Sequence, residues 1–266
     1  MLTTYASNIL LNLAFGGTTW PGGQPGTLYF GLFTAAPTVA GGGTEVSAGG
    51  YARVAVTANG TNFTAISTEG DPLVSAVAVT FPAATAAWGT VLHMGIFDAS
   101  SGGNLLCFAP VTSRAIAVDD VASWAAGALS FDSSGSLGKY LQKQFLNHLF
   151  TGATFTSIAT HYLALGTGGT EAGLSGESAA VGYRKSITNN TSNWPAAASA
   201  AKSLGAAADF TTSPGAGTWT HAAIYDSGTT AGGNMLVLIP LTQAVVTLAG
   251  ELPTVASNDL TISLNA

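Results

Sequence analysis

The 266-residue sequence predicts a mainly β protein: two tandem β-sandwich or jelly-roll-like units, each preceded by one short α-helix. Three observations carry that expectation. The chain repeats itself, in order, from one half to the other. Within each repeat the apolar spacing changes from three-and-four to two after the first segment. Charged residues make up only 8% of the chain, against roughly 25% in an ordinary soluble protein, while Gly, Ala, Ser and Thr are abundant. That is the composition of short strands joined by many turns.

The repeat begins at the helices. "YASNILLNLAFGGTTW" from Tyr5 aligns with "YLQKQFLNHLFTGATF" from Tyr140 without a gap, so Leu11 meets Leu146, Asn12 meets Asn147, Phe15 meets Phe150, Gly17 meets Gly152 and Trp20 meets Phe155. In the first copy Ile9, Leu10, Leu13 and Ala14 recur at helical spacing. In the second, Leu141, Phe145, Leu149 and Phe150 do the same. Glycines at Gly16, Gly17 and Gly152 end both segments. The faces bearing Ile9 with Leu13, and Phe145 with Leu149, are expected to cover the open end of each unit.

Strands follow. "TLYFGLFT" from Thr27 aligns with "THYLALGT" from Thr160, and "EVSAGGYAR" from Glu45 with "ESAAVGYRK" from Glu177. "YARVAVT", "SAVAVTF", "VLHMGIF" and "NLLCFAPV" alternate with period two between turn residues. "HMGIFDASSGGNLL" from His93 is repeated as "HAAIYDSGTTAGGNML" from His221, with Pro110 and Thr112 matched by Pro240 and Thr242 beyond it. "ALSF" to Phe131 and "LTISL" to Leu264 close the halves. The expected organisation is therefore a first unit over 1–131, a linker "DSSGSLG" over 132–138, and a diverged second copy over 139–266.

Charge and cysteine content exclude several function classes. Seven Lys and Arg are scattered, and the net charge is −6. Without a basic patch there is no counterion release to hold a phosphate backbone, so nucleic acid is not an expected partner. The single Cys107 excludes an intrachain disulfide framework and a multi-cysteine zinc site, and its apolar run reads as a buried, inert thiol. The N-terminal stretch lacks a basic n-region, and the longest apolar run, "NMLVLIPLTQAVVTLAG", is interrupted by Pro240, Thr242 and Gln243. Neither a signal peptide nor membrane insertion is expected.

The candidate chemical residues read better as structure. His93 and Asp98, like His221 and Asp226, are five residues apart, so on one strand they leave opposite faces. Each Asp precedes a Ser/Thr/Gly loop, where its carboxylate accepts bonds from later amides and starts a turn. His148 and His161 stand where the first copy has Leu13 and Leu28. Glu45 and Glu177 are the duplicated carboxylates that could serve glycoside cleavage, but a solvated loop or strand-edge role is the expected one. Trp20, Trp88, Trp124, Trp194 and Trp219 could line a sugar surface and are expected in the cores instead. No motif for a metal, cofactor or activated nucleophile occurs, so no catalytic, cofactor or metal residue is assigned.

The ordered string of a Tyr-led helix ending "LNHLFTG", then "TLYFGLFTAAPT", "GGTEVSAGGYARVAVT" and "VTFPAATAAWGTVLHMGIFDASSGGNLL", resembles a family of small tailed-bacteriophage virion proteins commonly named phage tail fibre proteins. The first copy matches across nearly all of 1–131. The second departs where "TAAPT" shrinks to "GTGGT" and where "WPAAASAAKSLGAAADF" precedes the later strands. The resemblance implies a non-enzymatic structural protein on the virion exterior, made in the bacterial cytoplasm. Its partners would be other virion proteins, in a homo-oligomer such as a trimer, with a host surface glycan as a further ligand. Two virion roles stay open: a tail-fibre or baseplate appendage, and a capsid decoration protein bridging major capsid subunits. A glycan-binding or glycan-cleaving protein is the alternative from another class.

Overall fold

The computed structural model describes residues 1–132 and 136–264. The first half runs α1 (Thr4–Ala14), β1 (Thr27–Ala35), β2 (Thr44–Glu45), β3 (Val54–Thr57), β4 (Phe63–Thr64), β5 (Leu73–Ser75), β6 (Val79–Thr80), β7 (Gly89–Phe97), β8 (Leu105–Ile116), β9 (Ser123–Trp124) and β10 (Ser130–Phe131). The second runs α2 (Lys139–Thr151), β11 (Thr160–Gly166), β12 (Gly168–Thr170), β13 (Gly173–Ser175), β14 (Lys185–Thr188), β15 (Ala201–Ser203), β16 (Ala208–Asp209), β17 (Gly217–Tyr225), β18 (Met235–Thr247), β19 (Thr254–Val255) and β20 (Thr261–Ser263). The protein is mainly β, with two helix-led units. Of the sequence-predicted linker, residues 133–135 lie outside the described residues. Ser136 to Gly138 run beside β18, with Leu238 N–H donating to the Ser136 carbonyl and Gly138 N–H to that of Leu236.

Each unit has one larger antiparallel sheet, in which β3, β1, β7 and β8 are matched by β14, β11, β17 and β18. The opposite layer is split into short sheets: β10–β5–β4 and β6–β9 in the first unit, β15–β20 and β16–β19 in the second. The long hairpin strands form because β-branched and aromatic residues alternate there, and Gly-rich turns break the chain elsewhere. Several predicted strands are shorter than their apolar runs. "YARVAVT" yields only Val54–Thr57, and "SAVAVTF" is split by a bend at Ala76 and Val77 into the end of β5 at Ser75 and the short β6 at Val79–Thr80.

The helices bury the predicted stripes, including Ile9, Leu13, Phe145 and Leu149. Their docking is exchanged between units, which the sequence did not reveal. The Asn12 Oδ1 of α1 accepts from the Ala197 N–H of the second unit at 2.8 Å, and Asn8 Oδ1 accepts from Ala200 N–H at 2.9 Å. Reciprocally, Asn147 Oδ1 of α2 accepts from Ile66 N–H at 2.8 Å, and its Nδ2 donates to the Ile66 carbonyl at 3.0 Å. Phe15, just after α1, lies 5.2 Å from the Trp194 ring, while Phe150 of α2 lies 5.3 Å from Phe63 and 4.3 Å from Phe131. Each helix also touches the long edge strand of its own half, α1 at β8 and α2 at β18. Burying one Phe ring contributes about 1.5–3 kcal/mol, so each exchanged aromatic anchor matters to the stability of both units.

The α2 end shows why glycine stands at the helix stop. Gly152 is left-handed, at φ 72°, and a Cβ there would sit 2.8 Å from the Ala58 carbonyl oxygen of the first unit. Gly152 therefore ends the helix and lets it approach the other unit closely.

Candidate functional site

The residues that sequence reading treated as candidate chemistry are drawn into two copies of one arrangement. In the first unit Glu45 lies on edge strand β2 and Arg53 just before β3. The Arg53 Nε donates to Glu45 Oε1 at 2.8 Å and its Nη2 to Oε2 at 2.7 Å. Arg53 Nη1 donates to the carbonyls of Ala99 and Gly102 at 2.7 and 2.8 Å, and the guanidinium lies 3.3 Å from the Phe97 ring centroid. The Tyr51 hydroxyl donates to Glu45 Oε1 at 2.9 Å and accepts from Leu32 N–H at 2.8 Å.

The second unit repeats this almost atom for atom. Arg184 Nε donates to Glu177 Oε1 at 2.7 Å and Nη2 to Oε2 at 2.9 Å. Its Nη1 donates to the carbonyls of Ser227 and Gly232, both at 2.8 Å, and the guanidinium lies 3.7 Å from the Tyr225 centroid. Tyr183 takes the place of Tyr51, donating to Glu177 Oε1 at 3.1 Å. Burial drives both phenols well above their ordinary range, so each stays a hydroxyl donor.

The expected strand-edge position holds for Glu45, which ends edge strand β2, but the two glutamates are only partly solvated. The side chain of Glu177 is 11% exposed and that of Glu45 25%, each held by a bidentate guanidinium. A catalytic acid or base needs a carboxyl free to exchange a proton with substrate, and here both oxygens are occupied. The arginines are the members that sequence reading missed. In the ungapped alignment Arg53 falls opposite Lys185, but strand pairing sets Val54 opposite Phe30 and Lys185 opposite Leu163, so Arg53 corresponds to Arg184. The signal was present as "YAR" against "YR", hidden by one inserted residue.

The arginines reach the loops that follow His93 and His221 along the chain. Asp98 Oδ1 accepts from Asn104 N–H at 2.6 Å and its Oδ2 from Asn104 Nδ2 at 2.8 Å. Asp226 makes the same two bonds to Asn234, at 2.7 Å each. Both carboxylates thus close the hairpin, as the turn reading expects, and turn away from the histidines. His221 Nδ1 meets the Thr220 hydroxyl at 2.9 Å, whereas His93 Nδ1 is buried without a partner. His148 is lodged in α2, its Nδ1 2.7 Å from the Ala153 carbonyl, and burial lowers its pKa.

The tryptophans go to the cores: Trp20, Trp88, Trp194 and Trp219 are buried, and Trp124 packs against the core from a half-buried position. Cys107 is a free thiol in apolar surroundings, and burial pushes its pKa up to about 12. Two hollows indent the first unit. One, of about 360 Å³, is an apolar groove beside Met94, Cys107, Phe131 and Phe150. The other, of about 400 Å³, lies under the Gly41–Gly43 loop next to Tyr5, Glu45 and Asn104. Among the described residues no cluster of His, Cys, Asp and Glu has the makings of a metal site, and no helix is long and apolar enough to cross a membrane.

Fold and site together define a duplicated, mainly β protein in which paired Glu, Arg and Asp side chains fix loops. The family description "Podophage GP4 fiber I protein gp80" matches residues 1–132 and again 136–263, so the chain belongs to that family and carries it twice. No curated protein matches the chain. Membership makes it a phage structural appendage protein associated with the virion.

Proposed function

We propose that the protein is a non-enzymatic element of the virion exterior, built into a tail-fibre or baseplate-type appendage, with other virion proteins as its partners. The observation that carries this reading is the duplicated clamp. The carboxylates most suited to hydrolysis are held by Arg53 and Arg184, which use their remaining donors to pin hairpin loops. Such clamps favour rigid loops over proton transfer. A surface poor in charge supports the same reading, because desolvating it against neighbouring subunits costs little. The units proposed as building blocks are residues 1–131 and 139–266, and the proposed assembly is a homotrimer.

A cryo-electron microscopy map of intact particles tests the proposal. Density for this chain in a tail appendage, with three-fold packing, is expected. Density on the head lattice would replace the appendage with capsid decoration, and absence from the particle would refute a virion role. Incubating the purified protein with host polysaccharide should release no product, and release would overturn the non-enzymatic part.

A further inference from the structure

The two exchanged helix junctions differ in the polarity of the positions that receive the helix. Where α2 meets the first unit, Phe63 packs on Phe150, and buried Leu28 and Leu73 stand on β1 and β5. Strand register and the shared loop bonds make His161, Trp194 and Lys202 their counterparts where α1 meets the second unit. All three are buried too, Lys202 at 2% exposure and the other two at 0%. No hydrogen bond of good geometry reaches either ring nitrogen of His161, though the Ala14 backbone carbonyl of α1 lies close enough to favour the charged ring in part, and Trp194 Nε1 has no partner. Lys202 Nζ donates to Asn12 Oδ1 of α1 at 2.7 Å and, among the described residues, forms no ion pair. The His161 ring is sandwiched by Phe15, 4.9 Å away, and Trp194, 5.7 Å away.

We propose that α1 is a releasable helix: acid frees it from the second unit through His161. Burial disfavours the charged imidazole and the Ala14 carbonyl offsets only part of that cost, so protonation favours whichever state lets the ring reach water. Here that state is the one with Phe15 withdrawn. The surroundings reinforce the direction. Residues of α1 (Thr4–Ala14) carry no formal charge, and neither does the Trp194 segment from 189 to 200. The cations on neighbouring strands are Lys185 on β14 and Lys202 on β15, the latter held by Asn12 of α1. Asp226, the next residue after β17, has both carboxylate oxygens bound to Asn234. Burial holds His161 down at about 4, against 6.5 for an exposed imidazole. Below 6.5 the released state therefore takes up the proton first, and docking weakens as pH falls. At the α2 junction Leu28 takes the place of this imidazole, while α2 carries its own buried His148, 6.2 Å from the Trp20 ring, whose pKa burial also lowers.

Amide hydrogen exchange of the full chain at pH 7.0 and pH 4.5, corrected for intrinsic rates, tests this. The opening equilibrium of α1 should rise about 50-fold on acidification. In His161→Leu, and in His161→Gln should the first variant fail to fold, the α1 equilibrium should stay flat. An unchanged wild-type equilibrium, or a rise that persists in either variant, would overturn the proposal.

Discussion

Replacing Glu177 by Gln is the sharpest probe of the clamps. The Arg184 side chain is fully buried, and it would keep its charge while losing the carboxylate that faces it at 2.7 and 2.9 Å. Breaking one partner of a buried pair costs about 3–5 kcal/mol, because the remaining ion is left uncompensated. The carbonyls of Ser227 and Gly232 and the Tyr225 face still solvate the guanidinium, which sets the expectation at the lower end, about 3 kcal/mol. Glu45→Gln should cost less, about 1–2 kcal/mol, since Glu45 is 25% exposed and water can replace part of what is lost. Urea unfolding of the full chain reads both, with an unchanged slope showing that the unfolded state is the same. A loss below about 0.5 kcal/mol for Glu177→Gln, the range of ordinary surface changes, would refute the clamp. So would the reverse order of the two variants.

Other expectations follow from particular contacts. The folded-state pKa of His161, about 4, lies below its unfolded value of 6.5. Its contribution to stability is therefore complete above pH 6.5 and lost as pH falls towards 4, by about 3 kcal/mol in all. His161→Leu should remove that acid-side loss in urea titrations run at several pH values, and an unchanged pH dependence would contradict it. Gly152→Ala combines a left-handed backbone with a Cβ 2.8 Å from the Ala58 carbonyl, and should lower stability by about 1–3 kcal/mol; thermal unfolding at the wild-type midpoint would show the approach to be unimportant. Cys107 should resist iodoacetamide at pH 8 in the folded protein and react in urea, because the thiolate is suppressed by burial. Rapid native labelling would contradict that placement.

Much of this architecture was legible in the sequence because it rests on local patterns. Helix periodicity ending at glycine located α1 and α2, and alternation located the long hairpins. The Asp-to-Asn turn closure followed from the chemistry of Asp before a loop. What could not be read was set by contacts across more than a hundred residues. The match of Asn12 with Asn147 was visible, yet nothing local says that each side chain caps a loop of the other unit. The second layer broke into short sheets where bends such as that at Ala76 and Val77 interrupt an apolar run. Glu45 and Glu177 looked solvated because an Arg partner becomes visible only after the one-residue insertion between Tyr51 and Arg53 is placed. The polar His161 and Lys202 stand in core positions whose counterparts are Leu28 and Leu73, and only their burial gives them meaning.

The reciprocal exchange of helices is the central structural claim, and a double-mutant cycle between Phe150 and Phe63 tests it most directly. The rings meet edge to face at 5.3 Å, one from the second half of the chain and one from the first. With Phe150→Leu, Phe63→Leu and the double variant measured by urea unfolding, a favourable coupling of about 0.5–1.5 kcal/mol is predicted. Additivity within about 0.3 kcal/mol, the scatter of residues that do not touch, would mean that α2 does not pack on the first unit.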